Sequence, residues 1–206
     1  MSTKKLRLIV IRHGETPSNL TGVVTGRSED SLTANGKNQM LQIRRELLDL
    51  QAKLSSTSKL PLSNNKPSVL SFPLAVYSSP MKRCVESVQI VAPEYDPIYD
   101  DRLAERDLGE LGNYTIDELW EQPLWNSLEV TRMGSGAETL LSGLERVKSF
   151  LASLKEKYPE GGDLLIITHS FISRCLWIIT ENIQNPEKMS TFLHRNDEIK
   201  EYSLTF

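Results

Sequence analysis

Cysteine is scarce. Cys84 and Cys175 are the only two in the chain, and no Cys-x-x-Cys spacing occurs. That excludes a disulfide framework and a cysteine-built zinc cluster, and it predicts two half-buried thiols in a reducing, cytoplasmic setting. Long apolar runs are missing as well. No stretch approaches the roughly 18 apolar residues of a membrane span, and the run after Lys4, Lys5 and Arg7 is too short for a signal peptide. An excess of one charge is also lacking: the net charge of −3 argues against nucleic acid or a membrane surface as partner. No Gly-x-x-x-x-Gly-Lys-Ser/Thr loop and no His-x-x-x-His pair is present, so neither a nucleotide cradle nor a metal is expected, and no cofactor. Gly134-Ser-Gly-Ala-Glu-Thr139 has no strong strand before it and no third glycine, and reads as a turn before a helix.

What is present is a patterned chain of 206 residues, 39% hydrophobic and 25% charged, large enough for a substantial core. Leu8 to Ile11 is a β-branched run of the kind buried on both faces of a sheet. Pro17 to Asp30 reads as loop. Thr33-Ala-Asn-Gly opens an amphipathic helix lasting to about residue 54. Strands are expected at 74–77, around 98–99, at 164–167 and at 198–206, with helices from about 78, 139 and 170. Strand and helix alternate, which predicts an α/β three-layer sandwich with a mainly parallel central sheet flanked by helices. We expect a single domain over 1–206, with a flexible surface insertion at about 55–68 and a lid-like excursion at about 113–137.

Two strands end alike. Leu-Ile-Val-Ile-Arg-His at 8–13 and Leu-Ile-Ile-Thr-His at 165–169 each deliver a histidine to a carboxyl edge, where ligands of open α/β sheets gather. The strand near Tyr77 and Ser78 leads within about one helical turn to Arg83. If these strands are neighbours, Arg12, His13, Arg83 and His169 converge. Arginine forks bind phosphate oxygens and keep their charge. A neutral imidazole at position 13 can attack phosphorus, and a protonated one at position 169 can stabilise the equatorial oxygens. Nearby arginines favour neutral imidazole and a bound phosphate favours the charged form, so the two rings are expected to differ in protonation. Glu105, in Leu-Ala-Glu-Arg-Asp-Leu-Gly, is the candidate acid for the leaving oxygen. Its alternative is an ion pair with Arg102 or Arg106.

These residues resemble the histidine phosphatase superfamily, which includes the cofactor-dependent phosphoglycerate mutases. Arg12-His13-Gly14-Glu15-Thr16 resembles its signature, Ser79-Pro-Met-Lys-Arg83 its second arginine motif, Glu105 its proton donor and Thr168-His169 its second histidine. The resemblance implies the histidine phosphatase fold, a phosphorylated His13, and further phosphate contacts from Asn19, Thr25 and Gly26. Two positions depart from it. Ser170 stands where the family usually has glycine, its backbone N–H still available, and Gly109-Glu-Leu-Gly-Asn113 carries its second glycine one position early. The interval from Glu105 to His169 is short, like the phosphatase branch, whereas the mutases insert a long lid there. A short lid leaves a phosphohistidine open to water. The expected function is therefore metal-independent hydrolysis of a small-molecule phosphomonoester. Mutase or phosphotransferase activity is the alternative within enzymes, and a phosphate-binding regulator with little turnover is the alternative outside them. His194 and Arg106 are read as surface groups, the latter in an exposed ion pair. Glu15 is read as ordering its loop, and Trp120 and Trp125 as lid packing or an apolar pocket wall.

Overall fold

A computed structural model describes residues 4–57, 69–109, 112, 114, 115, 117, 118 and 136–205. Its centre is a five-stranded sheet. The strands are β1 (Lys5–Arg12), β3 (Ala75–Ser78), β4 (Ile98–Tyr99), β6 (Gly162–Thr168) and β7 (Ile199–Thr205), in the order β4-β3-β6-β1-β7. β1, β6, β3 and β4 run parallel, and β7 closes the β1 edge antiparallel. A separate two-stranded ribbon joins β2 (Val23–Val24) to β5 (Tyr114–Thr115). The helices are α1 (Pro17–Thr21), α2 (Ala34–Thr57), α3 (Lys82–Val91), α4 (Leu140–Lys157) and α5 (Ser170–Thr180). Short 3-10 turns cover Asp101–Leu103 and Pro186–Thr191.

Strand alternation divides the core in two. Leu6, Leu8 and Val10 of β1 join Leu164 and Ile166 of β6 against α4 and α5, among them Val147, Phe150, Leu151 and Ile172. Ile9, Ile11, Leu165 and Ile167 face the other way, against Met40, Ile43 and Leu47 of α2 and Cys84 and Val88 of α3. Both faces of the central strands are covered, as their unbroken apolar runs require. Each fully buried aliphatic side chain contributes about 1.5–3 kcal/mol. α4 starts where Thr139 accepts a hydrogen bond from the Ser142 N–H at 3.0 Å, an N-cap of the ordinary kind. The expected α/β sandwich with a mainly parallel sheet is what the structure has.

Local differences have local causes. The stretch read as loop from Pro17 holds α1 and β2, because Pro17 suits a first helical turn and the ribbon partner of β2 lies far away in sequence. α2 carries on to Thr57, so the start expected for the insertion at 55 is helical. The remainder of that insertion, 58–68, lies outside the described residues, as do Asn113, Trp120, Trp125 and most of the expected excursion.

Candidate active site

The sheet register brings the two histidines together. β1 and β6 pair in parallel with Arg12 opposite Thr168, and the His13 N–H donates to the Thr168 carbonyl at 3.0 Å. His13 and His169 therefore leave adjacent strands at the same height. Their ring centroids are 5.1 Å apart with planes at 60°, and both residues are buried. β3, on the far side of β6, is tied in by the Ser79 N–H to the Ile167 carbonyl at 3.0 Å. The next turn carries Arg83 on α3 into the same space.

Hydrogen bonds set the orientation of each ring. His13 Nδ1 lies 2.8 Å from the Gly14 carbonyl oxygen. A carbonyl can only accept, so Nδ1 bears the proton and Nε2 keeps its lone pair. His169 Nδ1 accepts from Arg83 Nε at 3.3 Å, and its Nε2 faces the Ser79 hydroxyl at 2.8 Å. Cys84 Sγ stands 3.5 Å from the same nitrogen. Burial pushes the Cys84 thiol up to about 12, so it remains protonated beside the ring. Both cysteines are fully buried rather than half-buried.

Both imidazoles are held neutral. Burial takes His13 well below its usual pKa, and Arg83 and Arg12 push the same way. Burial does the same to His169, followed by Arg83, His13, Arg12 and Arg146. The expected difference in protonation is thus absent before an anion arrives, because both rings share one dry, cationic surrounding. Arg12 feels its own burial first, lowering its pKa, with Glu105 opposing and Arg174 and Arg83 adding repulsion.

The arginines meet carbonyls, not carboxylates. Arg12 Nη1 donates to the His194 carbonyl at 3.0 Å, while its buried Nε has no partner. Arg83 Nη1 and Nη2 donate to the Ser28 and Gly26 carbonyls, each at 2.8 Å. Gly26 adopts a φ of +54°, a left-handed conformation that suits glycine and turns this loop toward Arg83. Thr25 aims its hydroxyl at Asp30, at 3.4 Å. Asn19 accepts the Thr16 N–H at 3.2 Å and lines an open cavity of about 270 Å³ with Arg12, Ser18, Val23, Val24 and Asn196. Ser170 forms the first residue of α5, directly after His169 as N-cap.

Gly14 is fixed by contact. A Cβ on it would lie 2.4 Å from the Gly36 carbonyl oxygen, so the two backbones touch only because neither residue has a side chain. Glu15 ties the same loop to α2, accepting from Thr33 Oγ1 at 2.7 Å and Asn35 Nδ2 at 3.0 Å, which is the ordering role read for it.

Glu105 stands on the loop after Leu103, whose carbonyl accepts the Thr168 hydroxyl at 2.8 Å. Arg146 grips the Arg102 and Ala104 carbonyls at 2.9 and 2.7 Å. The Glu105 carboxylate accepts the Arg106 backbone N–H at 2.8 Å. Arg102 pairs with Asp100 instead, at 2.6 Å. Arg106 is no surface group: it is buried, donates to the Glu138 carbonyl at 2.9 Å, and lies 5.5 Å over the Phe171 ring. A flat guanidinium stacks on an aromatic face at little cost.

His194 also corrects its expectation, being fully buried. Its polar neighbours hid this, since the helix residue that meets its ring, Ser173, lies 21 positions away. Its ring bridges the Ser173 hydroxyl at 2.6 Å and the Glu198 carbonyl at 2.9 Å, and burial lowers its pKa to about 4. Asn196 was missed entirely; its Nδ2 donates to the His13 carbonyl at 2.6 Å. Arg174 was missed too. Its Nε is buried without a partner, and the one signal was a lone cation within the apolar stretch from Phe171 to Ile179.

Comparison with known proteins follows from this geometry. A family model described as histidine phosphatase superfamily (branch 1) matches residues 8–61 and 69–204. A probable phosphoglycerate mutase GpmB of Salmonella paratyphi C is 29% identical over 179 residues, covering 83% of this chain and 73% of the relative. A solved mutant phosphoserine phosphatase from Entamoeba histolytica in complex with phosphoserine superposes with a TM-score of 0.74 at 20% identity, covering 97% of this chain and 94% of that one. The alpha-ribazole phosphatase of Shigella flexneri gives 0.72 at 22%, covering 95% and 89%. At those identities the two solved structures speak for the fold.

Proposed function

This chain belongs to the histidine phosphatase superfamily, and from that premise we propose that it hydrolyses phosphomonoesters through a covalent phosphohistidine on His13. One observation carries the reading: two imidazoles 5.1 Å apart share one buried pocket with the guanidinium groups of Arg12 and Arg83, whose Nη donors meet carbonyl oxygens. Such a site suits a phosphate dianion. Arg12 and Arg83 bind its oxygens, and the His13 Nε2 lone pair forms a bond to phosphorus as the ester P–O bond breaks. The departing oxygen takes a proton from Glu105 in its acid form. Water then attacks phosphorus, forming a P–O bond as the P–Nε2 bond breaks; its proton goes to the Glu105 carboxylate, and phosphate and neutral His13 are released. His169 gains a proton more readily once the phosphate dianion is bound, and so stabilises the equatorial oxygens.

The short interval between Glu105 and His169 supports hydrolysis over mutation. The relatives keep the mutase reading in view, since that of Salmonella paratyphi C is called a probable phosphoglycerate mutase. The substrate class is a small phosphorylated metabolite; the Entamoeba neighbour is seen with phosphoserine and with 3-phosphoglyceric acid. Our reading of the location is cytoplasmic, supported by the free thiols of Cys84 and Cys175.

The test is an aryl phosphate at mildly acid to neutral pH, with rapid quenching to trap an acid-labile phosphoprotein. Phosphate release and label should both vanish in His13→Ala, a loss of at least about 10³-fold. Incubation with 3-phosphoglycerate and 2,3-bisphosphoglycerate separates the rival: isomer formation exceeding phosphate release would overturn hydrolysis.

A further inference from the structure

The stretch from His194 to Asp197 crosses the carboxyl end of β1 and touches both of the groups it delivers. We infer that this stretch is a strap that aims Arg12 and His13, with His194 as its anchor: a positioning residue acting through Arg12. The inference rests on the phosphate-site reading above.

Among the described residues, the His194 carbonyl is the one hydrogen-bond acceptor of Arg12, at 3.0 Å. A guanidinium is planar and rigid, so pinning one Nη sets the direction of its remaining donors. The unpartnered Nε of Arg12 is one of the donors so directed. The carbonyl in turn is fixed by its own side chain. Glu198 offers a carbonyl, which can only accept, so His194 Nε2 carries the proton and Nδ1 accepts from the Ser173 hydroxyl. Ser173 lies on α5, where its N–H donates to the His169 carbonyl at 3.0 Å. One buried ring thus joins the strap to the helix that His169 begins. Two residues on, Asn196 holds the His13 carbonyl at 2.6 Å and approaches Asn19 Oδ1 at 3.5 Å. Arg195 closes the turn through its N–H to the Glu198 carboxylate at 3.3 Å.

The experiment measures inorganic phosphate binding by calorimetry on the full chain, beside KM and kcat for an aryl phosphate. In His194→Phe, phosphate affinity should fall about tenfold and KM should rise in step, with kcat moving less. His194→Gln, which keeps a donor for the Glu198 carbonyl, should recover part of the loss. The decisive step is a double-mutant cycle with Arg12→Ala: the His194 penalty should vanish there, whereas a merely structural role repeats it in full. Ser173→Ala, a one-atom change with the same expected direction, runs the same cycle if His194→Phe does not fold. Unchanged phosphate affinity in a folded variant, or an additive cycle, overturns the strap. A wild-type chain that binds phosphate without turnover overturns hydrolysis alone, because the binding cycle still judges the strap.

Discussion

The two ends of β1 and β6 carry the same residue type and treat it in opposite ways. At the amino end, Arg7 and Asp163 are register partners joined at 3.0 and 2.7 Å, and Glu201 of β7 stands within 3.8 Å. At the carboxyl end Arg12 is opposite Thr168. Among the described residues neither Arg12 nor Arg83 forms an ion pair; both lean on carbonyl oxygens. Cation and anion at the first end satisfy each other at the surface, a pairing of small net value. At the second end positive charge is buried with only the carboxylate of Glu105 acting against it from a distance, an arrangement that costs stability. The difference teaches where the fold spends stability: at the end of the sheet where no carboxylate is in contact with the guanidinium groups of Arg12 and Arg83 among the described residues.

Three measurements break or sharpen this contrast. The largest effect is expected from Glu105, a carboxylate at the site end that accepts the Arg106 backbone N–H. Glu105→Gln should lower kcat/KM, which reports the transfer to His13 alone, by about 10²–10⁴-fold on alkyl phosphates, and much less on a nitrophenyl ester, whose leaving group needs no proton. Equal loss on both would remove Glu105 from the acid role. Next comes a matched pair of variants. Arg12→Ala should reduce kcat/KM by about 10²–10³-fold. Arg7→Ala should leave kcat/KM unaltered and cost about 0–1 kcal/mol in denaturant unfolding. Similar kinetic losses in both would erase the distinction between the ends.

The smallest effect is in stability against pH. His13, His169 and His194 all have folded pKa values below the usual imidazole value, so the unfolded chain takes up protons first. Their contribution is complete above about pH 6.5 and declines as pH falls toward each folded value, by about 1.4 kcal/mol per pH unit and imidazole. For His194 that window closes near pH 4. Thermal unfolding of the ligand-free protein should therefore drop from pH 7 to pH 5, and His194→Gln should drop less steeply. Identical slopes would contradict a buried neutral ring at that position.

What was legible in the sequence was local. The apolar runs of β1 and β6 are complete in a few residues each, and every group they deliver follows within one or two positions. Arg83 follows its strand by about one helical turn. That is why the sheet, its parallel character and the meeting of Arg12, His13, Arg83 and His169 could be anticipated. What escaped depends on distant chain. His194 and Arg106 look solvated beside their charged neighbours, yet one is bridged between Ser173 of α5 and the Glu198 carbonyl and the other lies over the Phe171 ring. Asn196 carries no pattern of its own, and its partner is 183 positions away. The ribbon of β2 and β5 likewise exists only through a pairing that neither two-residue segment announces.

That separation has a bearing on how the protein comes to work. Asn196 reaches back to His13, and β7 pairs with β1 along nearly its whole length. Contacts between such remote parts of a chain form slowly, because loop closure precedes any reward. A growing polypeptide would carry His13 well before β7, and could not hold it in place until that strand was synthesised. The geometry around His13 would then arrive abruptly, when β7 pairs with β1.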